Sequence, residues 1–448
     1  MDEQKLAENT VAKASTTGAE VEVYIQSGKE THIQVDQGKV ENLSHAGNKG
    51  MGVRILMDGC EGYAYTSDFS DESVDKTWQS AYELAKVGDP DEFRGLPEVE
   101  EIREEELNIF DPSVSETPIQ EKIEFLLNVE RAALGYDDRI FRTNRCTYLD
   151  GDIKVTLVNS KGFSGSYKRT SAASYLMAIG RDGDATSMAL GVGASISLSD
   201  LNAEKIGHEA AQDTIRLLGG KPVPSQEATV VLSPQIASQL VTYLSLALKA
   251  DEMQRGRSFL LGKMGEDVAS DIVSLLDNGR LNRGLGSVPF DAEGVPSRAT
   301  KIIDEGVLQA VLHDSYTARK EGVGSTGNAA RQSHRQPPDL RPTNFYLQPG
   351  EMTPEAILSG VDRGLYVLNT MTTGGINPIS GDYSVAARGI WIENGELVGP
   401  VNEVTIAAPM AQMLKQVTAV GNDLRFFPIY GVFGAPTIRI DGMTIAGK

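Results

Sequence analysis

The chain has 448 residues, 40% of them hydrophobic and 23% charged, with a formal net charge of -20. That length predicts two or three domains, and no run of about 18 apolar residues is present to predict a membrane-spanning helix. The acidity argues against a broad basic face for nucleic acid, and Cys60 and Cys146 fit reduced thiols better than a disulfide framework or metal motif. Met1-Asp2-Glu3-Gln4-Lys5 lacks the basic start and apolar core of a secretion signal, so a cytoplasmic protein is expected.

In chain order, a short helix is predicted over Leu6–Ala14, then a strand on which Val21, Val23 and Ile25 alternate. His32-Ile33-Gln34-Val35 and a Gly38-Lys39 turn continue a hairpin pattern. Gly50 to Gly59 reads as a strand ending in a turn. Gly50 and Gly52 precede the strand and lack the rest of a nucleotide-loop fingerprint, so no phosphate site is expected there. A helix over Ser70–Val87 places Trp78, Ala81, Leu84 and Ala85 in the core. Asp89 to Glu106 reads as an exposed acidic connector, which extends to about residue 115. Thr117-Pro118-Ile119-Gln120 has a capping-box pattern and opens a helix whose apolar face is Ile119, Ile123, Leu126 and Leu127. Strands at Ile153–Val158 and Ser171–Ile179 follow. A helix from about Ala203 to Leu218 then stops at Gly219-Gly220.

The proline-containing stretch Lys221 to Gln226 marks a boundary between an N-terminal domain (1–222) and a C-terminal domain (223–448). Candidate strands in the second part are Thr229–Leu232, Ala299–Ile303, Phe345–Leu347, Gly389–Ile392 and Ile438–Ile440. The expected fold class is α+β, with a mixed α/β N-terminal domain and a β-rich C-terminal domain.

Few residues carry an obvious chemistry. His208-Glu209-Ala210-Ala211-Gln212-Asp213 opens like a zinc-protease motif, but Gln212 breaks HExxH and Asp213 replaces the second His of HExxxH. Ile206, Ala210 and Leu217 define the buried face there, which leaves His208 at the surface. His32, His45, His313 and His334 have no ligand spacing, and no Gly-x-Ser-x-Gly elbow supports a serine nucleophile.

Ser233 to Leu248 reads as a buried helix with Ser233 at the N-cap, Pro234 at the first position, and Ile236, Leu240, Tyr243, Leu244, Ala247 and Leu248 at helical spacing. Asp251 to Phe259, with Arg255-Gly256-Arg257-Ser258-Phe259, follows it. In the same order come Gly324-Ser325-Thr326-Gly327-Asn328-Ala329, Arg341-Pro342-Thr343-Asn344, Arg363-Gly364-Leu365-Tyr366-Val367, Gly381-Asp382-Tyr383-Ser384, Gly421-Asn422-Asp423-Leu424 and Gly434-Ala435-Pro436-Thr437. Together these segments resemble the TldD/PmbA family, and within it the PmbA (TldE) type.

In the TldD type of that family, the helix carries a zinc-binding HExxxH. Counted back from Ser258, those positions here are Val241, Thr242 and Leu246, none of which ligates zinc or serves as a base. The family's third ligand is a Cys after the Gly-Asn-Asp-Leu motif. Here that stretch runs through Arg425-Phe426-Phe427-Pro428-Ile429-Tyr430 into Gly431-Val432-Phe433-Gly434, with no Cys after Cys146. The resemblance therefore implies a subunit with no catalytic residue, metal or cofactor of its own. Its expected partner is a TldD-type metallopeptidase subunit holding zinc, or a second copy as a homodimer, with peptides as substrate. The competing expectations are a stand-alone homodimeric hydrolase without metal and a non-catalytic peptide-binding or assembly module. The family's association with DNA gyrase modulation gains no support from this acidic chain as a direct nucleic-acid binder. Ser325, Thr326, Gly327, Asn328 and Asn344 shape loops through their turn chemistry, or face a peptide groove or subunit contact; the sequence leaves both open.

Overall fold

Strands β1 (Glu20–Asp36) and β2 (Lys39–Met57) form a long antiparallel hairpin whose register pairs Val23 with Val53 and Glu22 with Arg54. Because side chains alternate, Val21, Val23, Ile25, Ile33 and Val35 share one face and Glu22, Tyr24 and Gln26 the other. The hairpin joins β3 (Cys60–Thr66), β4 (Ile140–Asn159), β5 (Ser164–Asp182) and β6 (Ala185–Ser195) in the order β3-β2-β1-β4-β5-β6. The computed structural model describes residues 2–102, 106–371, 374–428 and 431–448.

Two helix pairs cover the apolar face. Helices α1 (Glu3–Ser15) and α2 (Asp71–Lys86) pack on Val21, Val23, Ile25, Met51, Val53 and Ile55. Gly62 lets α2 approach β3, since a Cβ there would lie 1.8 Å from the Ala81 carbonyl oxygen. The short α3 (Ser113–Glu116) precedes α4 (Ile119–Leu134), which with α5 (Ala203–Arg216) covers Ile33, Val35, Tyr148 and Leu176.

Three sequence expectations need correction here. Leu84 lies on the solvent side of α2, 49% exposed, because Val74, Thr77, Ala81 and Ala85 already complete the buried face. No capping box opens α4, because the Thr117 hydroxyl instead donates to the Ser113 carbonyl at 2.7 Å and closes α3. The acidic connector is fastened rather than free. Arg319 donates to the carbonyls of Phe93, Gly95 and Leu96, and Leu96, Leu107 and Ile109 are buried. Residues 103–105 of that connector, like Ile429 and Tyr430, lie outside the described residues.

The second half contains two larger sheets. In one, β7 (Gln226–Leu232) lies between β14 (Arg363–Thr370), to which it is parallel, and β21 (Ile438–Ala446), followed by β17 (Glu396–Pro409), β16 (Asp382–Glu393) and β15 (Ile376–Asn377). Strand β14 also pairs with β16, so five strands close into a ring, and β18 (Val417–Val420) pairs beside β21. The other sheet has the order β10 (Val307–Leu308), β9 (Ala299–Asp304), β8 (Leu275–Asn278), β13 (Asn344–Leu347), β20 (Val432–Ala435), β19 (Arg425–Phe427). Strands β11 (Ala329–Ala330) and β12 (Asp339–Leu340) form a separate short pair. Helix α6 (Pro234–Ala247) shares one continuous core with both larger sheets, including Leu232, Phe345 and Phe433. The fold is α+β, with helices on the first sheet and strand-rich structure beyond it.

The polar face of the first sheet is what the second half covers. Glu22 and Arg54, paired across β1 and β2, meet Glu293 and Arg331 there. Arg54 lies 3.1 Å from Glu22 and 3.0 Å from Glu293, and Arg331 also bonds Glu22. Gly50 and Gly52 belong to this contact. A Cβ at Gly50 would lie 2.1 Å from the His334 ring, and one at Gly52 2.6 Å from the His334 carbonyl oxygen. The two glycines admit a neighbouring segment rather than a phosphate.

Candidate functional site

Pro234 starts α6 where a missing N–H costs nothing, although the Ser233 side chain makes no capping bond. Ile236, Leu240, Val241 and Leu244 turn inward, whereas Gln239, Thr242, Tyr243 and Leu246 are spaced three and four apart along the less covered face. The expectation of a helix packed as core is therefore only half met, since Leu246 is 40% exposed. Val241, by contrast, is 2% exposed. The Thr242 hydroxyl donates to the Ser238 carbonyl at 2.8 Å, and Gln239 accepts from Thr370 at 2.7 Å. An isopropyl group, an engaged hydroxyl and an isobutyl group do not fit a zinc ion.

The alternative motif offers no metal site either. His208 stands at the surface with its ring edge-on to Tyr136, and its Nδ1 is 3.9 Å from Glu204. Burial pushes Asp213 up to about 6, and Arg216 lies 3.6 Å away. Among the described residues, no group of three or more His, Cys, Asp or Glu side chains could hold a metal ion.

The loop candidates are drawn into a buried polar scaffold. Ser325 and Thr326 donate their hydroxyls to the His313 carbonyl, and the Gly327 N–H donates to Ser325. Asn328 donates to Asp277 at 2.7 Å and to the Arg341 carbonyl at 3.0 Å. Asp277 also accepts from the Thr343 N–H and hydroxyl, at 2.7 and 3.0 Å. Burial outweighs these three donors and pushes Asp277 up to about 6. Asn344, fully buried, accepts from the Gly286 N–H and donates to the Asn278 carbonyl and to Ser287. Its amide is thus wholly engaged within the chain.

Gly327 and Asn328 nevertheless border a cleft of about 410 Å³ between the polar face of the first sheet and the second half. The sheet register builds its floor, with Val155 between Gln26 and Tyr167, and Ile153 beside Arg169. The opposite wall carries Phe290, Asp291, Arg331 and Arg341. Asp291 accepts backbone N–H groups of Glu293, Val295 and Ala329, and burial raises its pKa. Glu293 is also buried, but Arg54 and two hydrogen bonds from Ser315 outweigh that penalty and hold its pKa low. The sequence reading missed this cleft. Tyr167 and Arg169, two apart just ahead of the strand expected at Ser171–Ile179, were the available local signal; the observed β5 starts earlier and includes both.

Comparison with known proteins places this architecture. Family models described as PmbA/TldA metallopeptidase domain 1, central domain and C-terminal domain match residues 21–85, 112–218 and 225–447. The chain belongs to the TldD/PmbA family. Its relatives include "Metalloprotease PmbA" of Escherichia coli O157:H7, 30% identical over 92% of this chain and 89% of that protein. "Metalloprotease PmbA homolog" of Haemophilus influenzae is 28% identical over 98% of this chain and 94% of the relative. The crystal structure of TldE from Thermococcus kodakarensis, 24% identical, covers 99% of this chain and 100% of its own, with a TM-score of 0.92, which shows the shared TldD/PmbA fold.

Proposed function

We propose that this chain is a TldE-type subunit without its own zinc, which completes a peptide-processing metallopeptidase by pairing with a TldD-type subunit in the cytoplasm. The observation that carries the reading is the state of the HExxxH positions on α6. Val241 is sealed in the core, Thr242 is bonded to its own helix, and Leu246 is apolar. A zinc-bound water and its general base would have to come from another chain. In such a pair, metal and base belong to the partner, and this chain contributes fold and groove.

The test is purification of this chain alone and together with a HExxxH-bearing homologue, followed by metal analysis and an unfolded-peptide cleavage assay. The expected result is stoichiometric assembly, zinc only in the mixture, and cleavage only in the mixture. Stoichiometric zinc in the isolated chain would refute the reading. Chelator-resistant cleavage by the isolated chain would replace it with a metal-free homodimeric hydrolase.

A further inference from the structure

The cleft between the first sheet and the second half offers hydrogen-bond donors that no described residue uses. Among the described residues, the Arg169 side chain makes no hydrogen bond and no ion pair, nor do the hydroxyls of Tyr24 and Tyr167 donate to any group. The register makes the three groups neighbours: Tyr167 and Arg169 stand two apart on one face of β5, opposite Val155 and Ile153, and Tyr24 pairs with Leu157, two residues from Val155 on the same face of β4. Burial raises the pKa of each phenol, which keeps both as O–H donors. Arg331, stacked 4.7 Å from the Tyr24 ring, is bound to Glu22 yet leaves its Nε without a partner. Arg341 is 3.5 Å from Asp339. Among the described residues, the one carboxylate on the lining is Asp291, which is occupied by three backbone donors.

Donors without acceptors inside a chain of net charge -20 call for an anion. One uncommitted guanidinium suits a single negative charge and would leave half of a phosphate dianion uncompensated. Ile153, Val155 and Phe290 supply an apolar wall beside it. Such a mixture of apolar lining and a few convergent polar groups, at this volume, is the ordinary form of a small-ligand site.

We propose that this cleft binds a carboxylate carried on an apolar peptide end, with the carboxylate at Arg169, Tyr24 and Tyr167 and the apolar side chain against Ile153, Val155 and Phe290. The choice of a peptide rests on the function proposed above; the recognition of a carboxylate rests on the cleft alone.

The test is calorimetric titration of the full chain, without any partner, with N-acetyl-alanyl-leucyl-phenylalanine. Its C-terminal amide, the amide of N-acetyl-alanyl-leucyl-glutamate and inorganic phosphate form the other arms. The free acid is expected to bind at least about tenfold more tightly than its amide. Arg169→Gln is expected to weaken it by about tenfold to a hundredfold, Arg169→Lys to restore part of the loss, and Tyr167→Phe to weaken it by several-fold. If the glutamyl amide matches the free acid, the site accepts a carboxylate from either the terminus or a side chain; if it binds only as the phenylalanine amide does, the site requires the chain terminus. Equal binding of acid and amide, full affinity in an Arg169→Gln chain with an unchanged melting curve, or phosphate binding tighter than the acid would each overturn the proposal. Because no partner is present, failed assembly with a TldD-type subunit leaves this measurement unaffected.

Discussion

Arg54 reaches Glu293 at 3.0 Å across the boundary between the first sheet and the second half, and both side chains are at most 6% exposed. The same guanidinium nitrogen also holds Glu22, at 3.1 Å. Removing Arg54 would strand two buried carboxylates, though Arg331 still serves Glu22. Arg54→Met should therefore destabilise the chain by about 3–5 kcal/mol. Urea unfolding at neutral pH reads this directly, and an unchanged midpoint would show that the network is not what joins the two parts.

Asp277 gives the stability a defined pH dependence. Its pKa rises from 3.8 to about 6 on burial. The folded chain keeps a proton there that the unfolded chain releases, so this contribution is full below about pH 4 and lost as pH rises through about 6. Two pH units correspond to about 3 kcal/mol. Asp277→Asn removes the titration, so between pH 4 and pH 7 the stability difference should move by about that amount in the variant's favour. Parallel urea curves for the two proteins across that range would contradict the assignment.

The two faces of α6 should respond differently to one substitution. Val241→His places a polar ring among buried apolar groups and should cost about 2–4 kcal/mol. Leu246→His, on the less covered face, should stay within about 1 kcal/mol of the parent in the isolated chain. Thermal melts of the two variants compare them, and equal losses would mean that Leu246 is as much core as Val241.

Thiol reactivity should separate the two cysteines. Burial holds the Cys146 thiol well above its ordinary pKa, whereas Cys60 is half-buried with its Sγ donating to the Gly88 carbonyl at 3.2 Å. A chromogenic disulfide reagent should titrate Cys60 in the folded chain and both thiols in denaturant. Rapid native modification of Cys146, located by mass spectrometry, would contradict the packing around it.

What the sequence made legible was local. The alternation of Val21, Val23 and Ile25 announces a half-buried strand because the period belongs to neighbouring residues. Pro234 fixes the start of α6 for the same reason. Leu84 was misjudged because helical spacing finds an apolar stripe without saying which of its edges is covered. The meaning of Gly50 and Gly52 was out of reach, since what they admit is the ring and the carbonyl oxygen of His334, a residue far along the chain. The cleft was equally hidden: Tyr24, Tyr167 and Arg331 come from distant segments, and only the pairing of β1, β4 and β5 assembles its floor.

The position of β21 carries a consequence for how the polypeptide is made. Residues 438–446 fill the place between β7 and β17 in the closed ring, and β7 is the first strand of that ring to be translated. Until residues 438–446 emerge, β7 has one exposed hydrogen-bonding edge, and the apolar side chains of Val230 and Leu232 lack part of their cover. The second half must therefore finish folding after residues 438–446 have been made, while the first sheet, drawn entirely from earlier residues, has every strand available beforehand.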